Sequence, residues 1–342
     1  MTQIEPQQVA DTQVGSAPTF RADPPPSQPP PRAGTPGTTP KVVKRPGDRI
    51  FEGLSTGSGT LILIILALVA AFLVAQGIPA FTSSVEDLPF GNTLRYVVPL
   101  AFGTVWAAFL AMLMGVPVAI AIALFISHFA PRRLAAGLGY VIDLLAAVPS
   151  VVYGLWGISV LGPLVQPVYL WLSENLGFIP LFAGPASGTG RTIFTAALVL
   201  AVMILPIVTA LSREVFLQTP RLHEEAALAL GATRWEMIKM AVLPFARPGM
   251  ISASMLGLGR ALGETMAVAL VLSPSAIISF ALLQSTNPNT IAANIALSFP
   301  EAYGLGTNQL IATGLVLFVI TLAVNSIARA VINRRKEFSG AN

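Results

Sequence analysis

The sequence predicts an all-α integral membrane protein with six transmembrane helices, and three observations carry the prediction. Hydrophobic side chains make up 54% of the 342 residues and charged ones only 11%, with a mean hydropathy of +0.72; a soluble domain carries roughly a quarter charged residues. The apolar residues fall into runs long enough for the ~20-residue helix that crosses a bilayer. The charges flank those runs and form no single basic face, so the net charge of +4 reflects topology and calls for no nucleic acid. Cysteine is absent, which excludes disulfides, thiolate metal sites and cysteine nucleophiles.

Residues 1–49 hold 11 of the 28 prolines and few large apolar side chains. Such a segment buries too little to offset its ordering entropy, so a disordered Pro-rich cytoplasmic tail is expected there. The first apolar run starts at Leu61, beyond the reach of a cleavable leader. A first transmembrane helix is expected over 50–80, with Leu61–Ile78 as its apolar part. The second span lies in Val97–Ile126, the third in Gly137–Leu161 with Asp143 and Pro149 inside, and the fourth in Thr192–Ser212. The fifth covers Gly249–Leu272 and the sixth Leu305–Ile327, with a Pro/Ser/Asn-rich stretch from Ser273 to Pro300 between them. The transmembrane core is thus expected over 93–332, and 333–342 as a second cytoplasmic tail.

Lys and Arg near the span ends set orientation. Lys41, Lys44, Arg45 and Arg49 precede span one, Arg132 and Arg133 follow span two, Arg213 to Arg247 separate spans four and five, and Arg329 to Lys336 follow span six. The loops on the other side carry only Arg95 and Arg191. Both termini are therefore expected in the cytoplasm.

The polar segment 213–247 reads as two short helices. Thr219 is the expected N-cap of the first, with Pro220 at its first position and Gly231 ending it. Thr233 and Glu236 have the spacing of a capping box, which starts a second helix running to about Leu243-Pro244. The small Ala226, Ala227 and Ala229 leave backbone open to close packing, by a partner or by the loop itself. Glu224 and Glu225 sit in the first turns, where the helix dipole alone also favours them.

Ionisable residues at membrane depth are costly and usually face a polar path or a partner. Arg260 and Glu264 fall four apart in span five, so a continuous helix would pair them. Arg presents a planar fork that matches an oxyanion, and Glu would temper its charge; a purely structural pair is the competing reading. Gly259 and Gly263 are expected to let a helix or ligand approach. Pro149 breaks span three, and freed backbone groups with the hydroxyls of Ser150 and Tyr153 could line a cavity, or the break is a plain kink.

Glu225-Ala226-Ala227, Gly231 and Ala241-Val242-Leu243-Pro244 together resemble the EAA loop of bacterial ABC importer permeases, with Ala241 where that pattern usually has Ile. Val148 to Gly157 and Arg260 to Val268 are similar to the permeases of phosphate-specific importers of that family. The resemblance covers about residues 60–335. It implies the type I (MetI-like) permease fold with a cytoplasmic coupling helix, translocation of inorganic phosphate across the bacterial plasma membrane, and ATP hydrolysis on a partner chain. It implies as partners a homologous second permease, an ATP-binding subunit dimer, an extracytoplasmic phosphate-binding protein and membrane lipid. It makes Glu224, Glu225, Ala226, Ala227, Gly231, Leu243 and Pro244 the ATPase-coupling residues, and Arg260 and Glu264 the transport pair. With Thr265, Ser150 and Tyr153 these two form the candidate substrate pathway.

No cofactor, catalytic group or metal site is expected. Gly57-Ser58-Gly59-Thr60 lacks the lysine of a phosphate cradle, and His128 and His223 lie on separate loops without further ligands. Sulfate or molybdate as cargo, the sister permease of the same importer, a secondary transporter and a membrane-embedded enzyme remain the alternatives at this level.

Overall fold

The structure, a computed structural model, describes residues 46–336; the proline-rich residues 1–45 and residues 337–342, on which most of the two expected tails fall, lie outside the described residues. The chain divides into two compact units, 1–59 and 60–342. Helix α1 (Pro46–Thr82) begins at a proline whose fixed φ suits a first helical turn, so residues 46–49 of the expected tail are helical. The remaining helices are α2 (Thr93–Leu124), α3 (Arg132–Ala146), α4 (Ser150–Trp156), α5 (Gly162–Leu176) and α6 (Ile193–Leu217). They are followed by α7 (Arg221–Ala229), α8 (Arg234–Met237), α9 (Leu243–Leu262), α10 (Met266–Val271), α11 (Ile291–Ser298) and α12 (Leu305–Lys336).

Among the described residues, six helical segments are long and apolar enough to cross a membrane, as the sequence predicts. Two of them differ from the expected bounds. The third runs over Ser150–Leu176, and Gly137–Leu161 is not one span. Pro149 is extended and lacks an N–H, which ends α3 at Ala146 and starts a new helix at Ser150. Asp143 therefore lies on α3, exposed and outside the span. Beyond Trp156 a π turn (Gly157–Leu161) leads into α5 and widens the helix just before Pro163, relieving the clash that a tight turn would impose.

The fifth span also departs from expectation. It runs over Arg234–Leu262 and stops there, and Gly249–Leu272 is not continuous. Its start absorbs α8, so the second helix of the 213–247 segment does not end at Pro244. A π turn at Ile238–Val242 widens the helix just before that proline, relieving the clash that a tight turn would impose.

Helix α6 is the centre of the bundle and packs against α2 and α9. The α2 and α6 surfaces bury Ala107, Ala111, Ala196, Ala197 and Ala201. Small residues let the backbones approach closely where lipid removes the hydrophobic drive between helices. Helix α1 is largely exposed, as a lipid-facing helix should be.

The stretch Ser273 to Pro300 folds into one end of the bundle. Pro274–Ser275 pairs in parallel with Asn287–Pro288, and Leu282 and Leu283 join the core. Thr290 caps α11, and the Thr104 hydroxyl on α2 accepts the Ile291 N–H at 2.9 Å. That N–H is one of the donors a helix start leaves unpaired. Thr104→Val should destabilise the assembled protein by about 1–3 kcal/mol, the cost of a buried unpaired donor, and lower its thermal midpoint in detergent.

Candidate functional site

Helix α9 ends at Leu262, and the chain turns at Gly263 before α10 begins. Glu264 is 8% exposed, and its Oε1 accepts the Ala267 N–H at 3.1 Å, capping α10. The Thr265 hydroxyl donates to the Gly263 carbonyl at 3.2 Å. At the other end of α10, Arg191 donates to the carbonyls of Leu270 and Leu272 at 3.2 and 3.1 Å. A carboxylate at the start and a cation at the end is the arrangement the helix dipole favours.

The expected Arg260–Glu264 pair does not form. Four-residue spacing brings side chains together only on a continuous helix, and the break at Gly263 places Glu264 in the turn before α10, with its carboxylate on the α10 backbone. Arg260 makes no ion pair among the described residues, and its Nε is buried without a hydrogen-bond partner. It lines a cleft of about 640 Å³ with Ile207, Ser252, Gly259, Asn325 and Arg329. Beyond its own stretch of helix, no described atom comes within 4 Å of a Cβ built at Gly259, and at Gly263 only the Gly259 carbonyl does, so no described helix packs on either glycine, and Gly259 faces the open cleft.

Helix α4 packs on α10 at Gly154, where a Cβ would sit 2.9 Å from the Ala267 Cα. The Tyr153 hydroxyl donates to the Leu145 carbonyl at 2.9 Å, reaching back across the Pro149 break. In an unbroken helix that carbonyl would take the N–H of residue 149, which a proline lacks. Tyr153 also lies within electrostatic reach of Arg260. Thus Tyr153 stands on α4 where that helix packs on α10, and Arg260, Glu264 and Thr265 flank the break between α9 and α10. Ser150 stands half-buried at the start of α4, near the break, and makes no side-chain hydrogen bond among the described residues.

The 213–247 segment forms an elbow at one end of the bundle. The Thr233–Glu236 capping box is present, with the Thr233 N–H reaching Glu236 Oε2 at 2.8 Å and the Glu236 N–H reaching Thr233 Oγ1 at 3.3 Å. Thr219 does not cap α7: Pro220 holds the cap position and the Thr219 hydroxyl is buried without a partner, because the helix starts one residue later than expected. Gly231 has φ +86°, the left-handed conformation that ends α7 and that side chains rarely adopt.

Ala227 is buried in a small core with Phe216, Met237, Ile238 and Val242, so it is not open to a partner, whereas Ala226 and Ala229 are exposed. Leu243 is half-buried against that core and Pro244 is exposed. Glu224 faces His128 at the end of α2, with Oε1 3.7 Å from Nε2, and Ser127 Oγ lies 2.7 Å from His128 Nδ1. Glu225 is exposed beside Leu222 and Leu230, which are 75% and 86% exposed.

Sequence reasoning missed Arg191 and Asn325, and it counted Arg329 only as a flank of span six. An asparagine inside an apolar span was the available signal.

Residues 115–337 match the family described as "Binding-protein-dependent transport system inner membrane component". The chain belongs to this family. The permease is 45% identical over 300 residues to "Phosphate transport system permease protein PstC 2" of Mycobacterium tuberculosis, covering 84% of this chain and 92% of that one. It is 40% identical over 322 residues to "Phosphate transport system permease protein PstC" of Xylella fastidiosa, covering 87% and 98%. A chain of a bacterial ABC transporter involved in the import of the acidic polysaccharide alginate superposes with a TM-score of 0.55 at 17% identity, over 85% of this permease and 99% of that chain. That likeness is one of fold, and it agrees with the importer-permease fold the sequence resemblance implies.

Gly231→Val forces a branched side chain into the left-handed region at a cost of about 1–3 kcal/mol. Proteolysis between Leu230 and Arg234 should then accelerate about tenfold or more in the folded permease, while Gly231→Asn, which tolerates this conformation, should change it little.

Proposed function

We propose that the chain is a permease subunit of an ABC importer that moves inorganic phosphate across the bacterial plasma membrane. The observation that carries this reading is Arg260, a permanent cation in the membrane bundle with no acidic partner and an open cleft beside it. A guanidinium held there supplies planar donors to an oxyanion. Glu264 serves the cap of α10, which keeps the break rigid and leaves the arginine charge uncompensated for the substrate. Tyr153 and Thr265 shape the wall of the same junction, and Ser150 extends it toward the Pro149 break. The phosphate-transport names of relatives up to 45% identical support phosphate as the cargo.

The elbow is the coupling element, and both termini lie with it in the cytoplasm. Its exposed Glu225, Ala226, Leu222, Leu230 and Pro244 offer a surface for one subunit of an ATP-hydrolysing dimer, and the Glu224–His128 contact and the core around Ala227 tie that surface to α2 and α9. Closing of the dimer moves the elbow, and the helices rock so that the cleft at Arg260 changes the side it opens to. A homologous second permease completes the pathway, and an extracytoplasmic phosphate-binding protein delivers the anion and selects among tetrahedral oxyanions.

The test is ATP-driven phosphate uptake by the complete importer in proteoliposomes. Arg260→Gln should lower uptake by about a hundredfold and Arg260→Lys by less, since the point charge remains without the fork. Normal uptake by Arg260→Gln overturns the assignment.

A further inference from the structure

The cleft that holds Arg260 holds a second guanidinium. Arg329 on α12 lines the same space one turn beyond Asn325, and α12 packs against α9. None of the residues lining the cleft is acidic, and neither arginine has an ion-pair partner among the described residues. The Ser252 hydroxyl is committed to the Pro248 carbonyl at 3.0 Å, which leaves the Asn325 amide as the neutral donor facing the cleft.

The cleft also has a direction. Gln309, near the start of α12, bonds the backbone of Phe90 and Gly91. Those residues precede α2, whose far end carries His128 to the elbow. The start of α12 is therefore at the end away from the elbow, and Arg329 lies about 30 Å further along the helix, at the elbow end. Arg260 and Ser252 on the opposite wall are about 12 Å apart along α9, so the cleft extends between the two levels.

Arg329 and Asn325 are exposed and Arg260 is half-buried, and two cations lining a cleft with no acidic residue draw an anion into it. We infer that Arg329, with Asn325, forms a second station for a phosphoryl oxyanion, taking it from Arg260 on its way to the elbow end of the bundle. This rests on the reading of Arg260 as a pathway residue. An anionic lipid headgroup carries the same phosphoryl oxygens, but the cleft continues to the buried Nε of Arg260, which a headgroup at the surface does not need. Free phosphate is therefore the occupant assigned here. A second station also explains how a cation strong enough to draw phosphate inward releases it: the next site competes for it.

The complete importer, reconstituted in phosphatidylcholine vesicles with and without phosphatidylglycerol, tests this with Arg329→Gln, Arg329→Lys, Asn325→Leu and Arg260→Gln. Radiolabelled phosphate taken up per ATP hydrolysed should fall about tenfold in Arg329→Gln in both lipids and recover in Arg329→Lys, with a smaller fall in Asn325→Leu. Unchanged uptake in Arg329→Gln and Asn325→Leu while Arg260→Gln is inactive overturns the second station and leaves the permease reading standing. Unchanged uptake in Arg260→Gln as well overturns the underlying reading. A defect in Arg329→Gln confined to vesicles containing phosphatidylglycerol assigns the cleft to lipid and overturns the proposal. Should Arg329→Gln fail to assemble, Asn325→Leu decides alone.

Discussion

A peptide group stripped of water in hydrocarbon costs several kcal/mol unless something inside the protein pairs with it, and three helix breaks in this bundle answer that constraint with side chains. At Pro149 the Leu145 carbonyl, which loses the N–H that a proline lacks, accepts the Val148 N–H at 3.2 Å and the Tyr153 hydroxyl at 2.9 Å. At Gly263 the Glu264 carboxylate takes a free N–H of α10, and Arg191 takes the carbonyls at its other end. At Thr290 the start of α11 is satisfied by its own cap and by Thr104. The breaks are rigid features held by named side chains.

The same constraint decides the electrostatics. Glu264 is close to Arg260 in sequence, yet its carboxylate is spent on the backbone. Arg260 is left as a cation beside a cleft, which is the state an anion pathway requires and a structural ion pair does not. One side chain thus caps α10 and leaves the charge beside the cleft uncompensated. The elbow follows a similar economy: the capping box and Gly231 fix its shape, and a small core under Ala227 joins it to α9, the helix that carries Arg260.

Much of this was legible in the sequence. Six apolar runs, the capping box at Thr233 and the turn at Gly231 rest on local patterns that tertiary packing does not override. The junction was identified by its residue types, since an arginine and a glutamate inside apolar sequence have few reasons to be there. The errors share a cause. Apolar composition looks the same on both sides of a break, so Gly137–Leu161 and Gly249–Leu272 read as single spans. Conversely, Pro244 read as a helix end because the π turn that accommodates it has no sequence signature. Arg191 and Arg329 look like flanking charges in the sequence because their surroundings come from distant parts of the chain: Arg191 reaches a helix about 80 residues away, and Arg329 lines a cleft with α9.

The central claim is that Glu264 acts on the backbone of α10 and leaves Arg260 without a counter-ion. A double-mutant cycle with Arg260→Gln, Glu264→Gln and the double variant, read as thermal stability of the assembled complex, measures it directly. The account predicts additive effects to within about 0.5 kcal/mol, as for groups with no shared contact. A coupling well above that, with the double variant more stable than the sum of the singles, would mean the two charges hold each other and would contradict it.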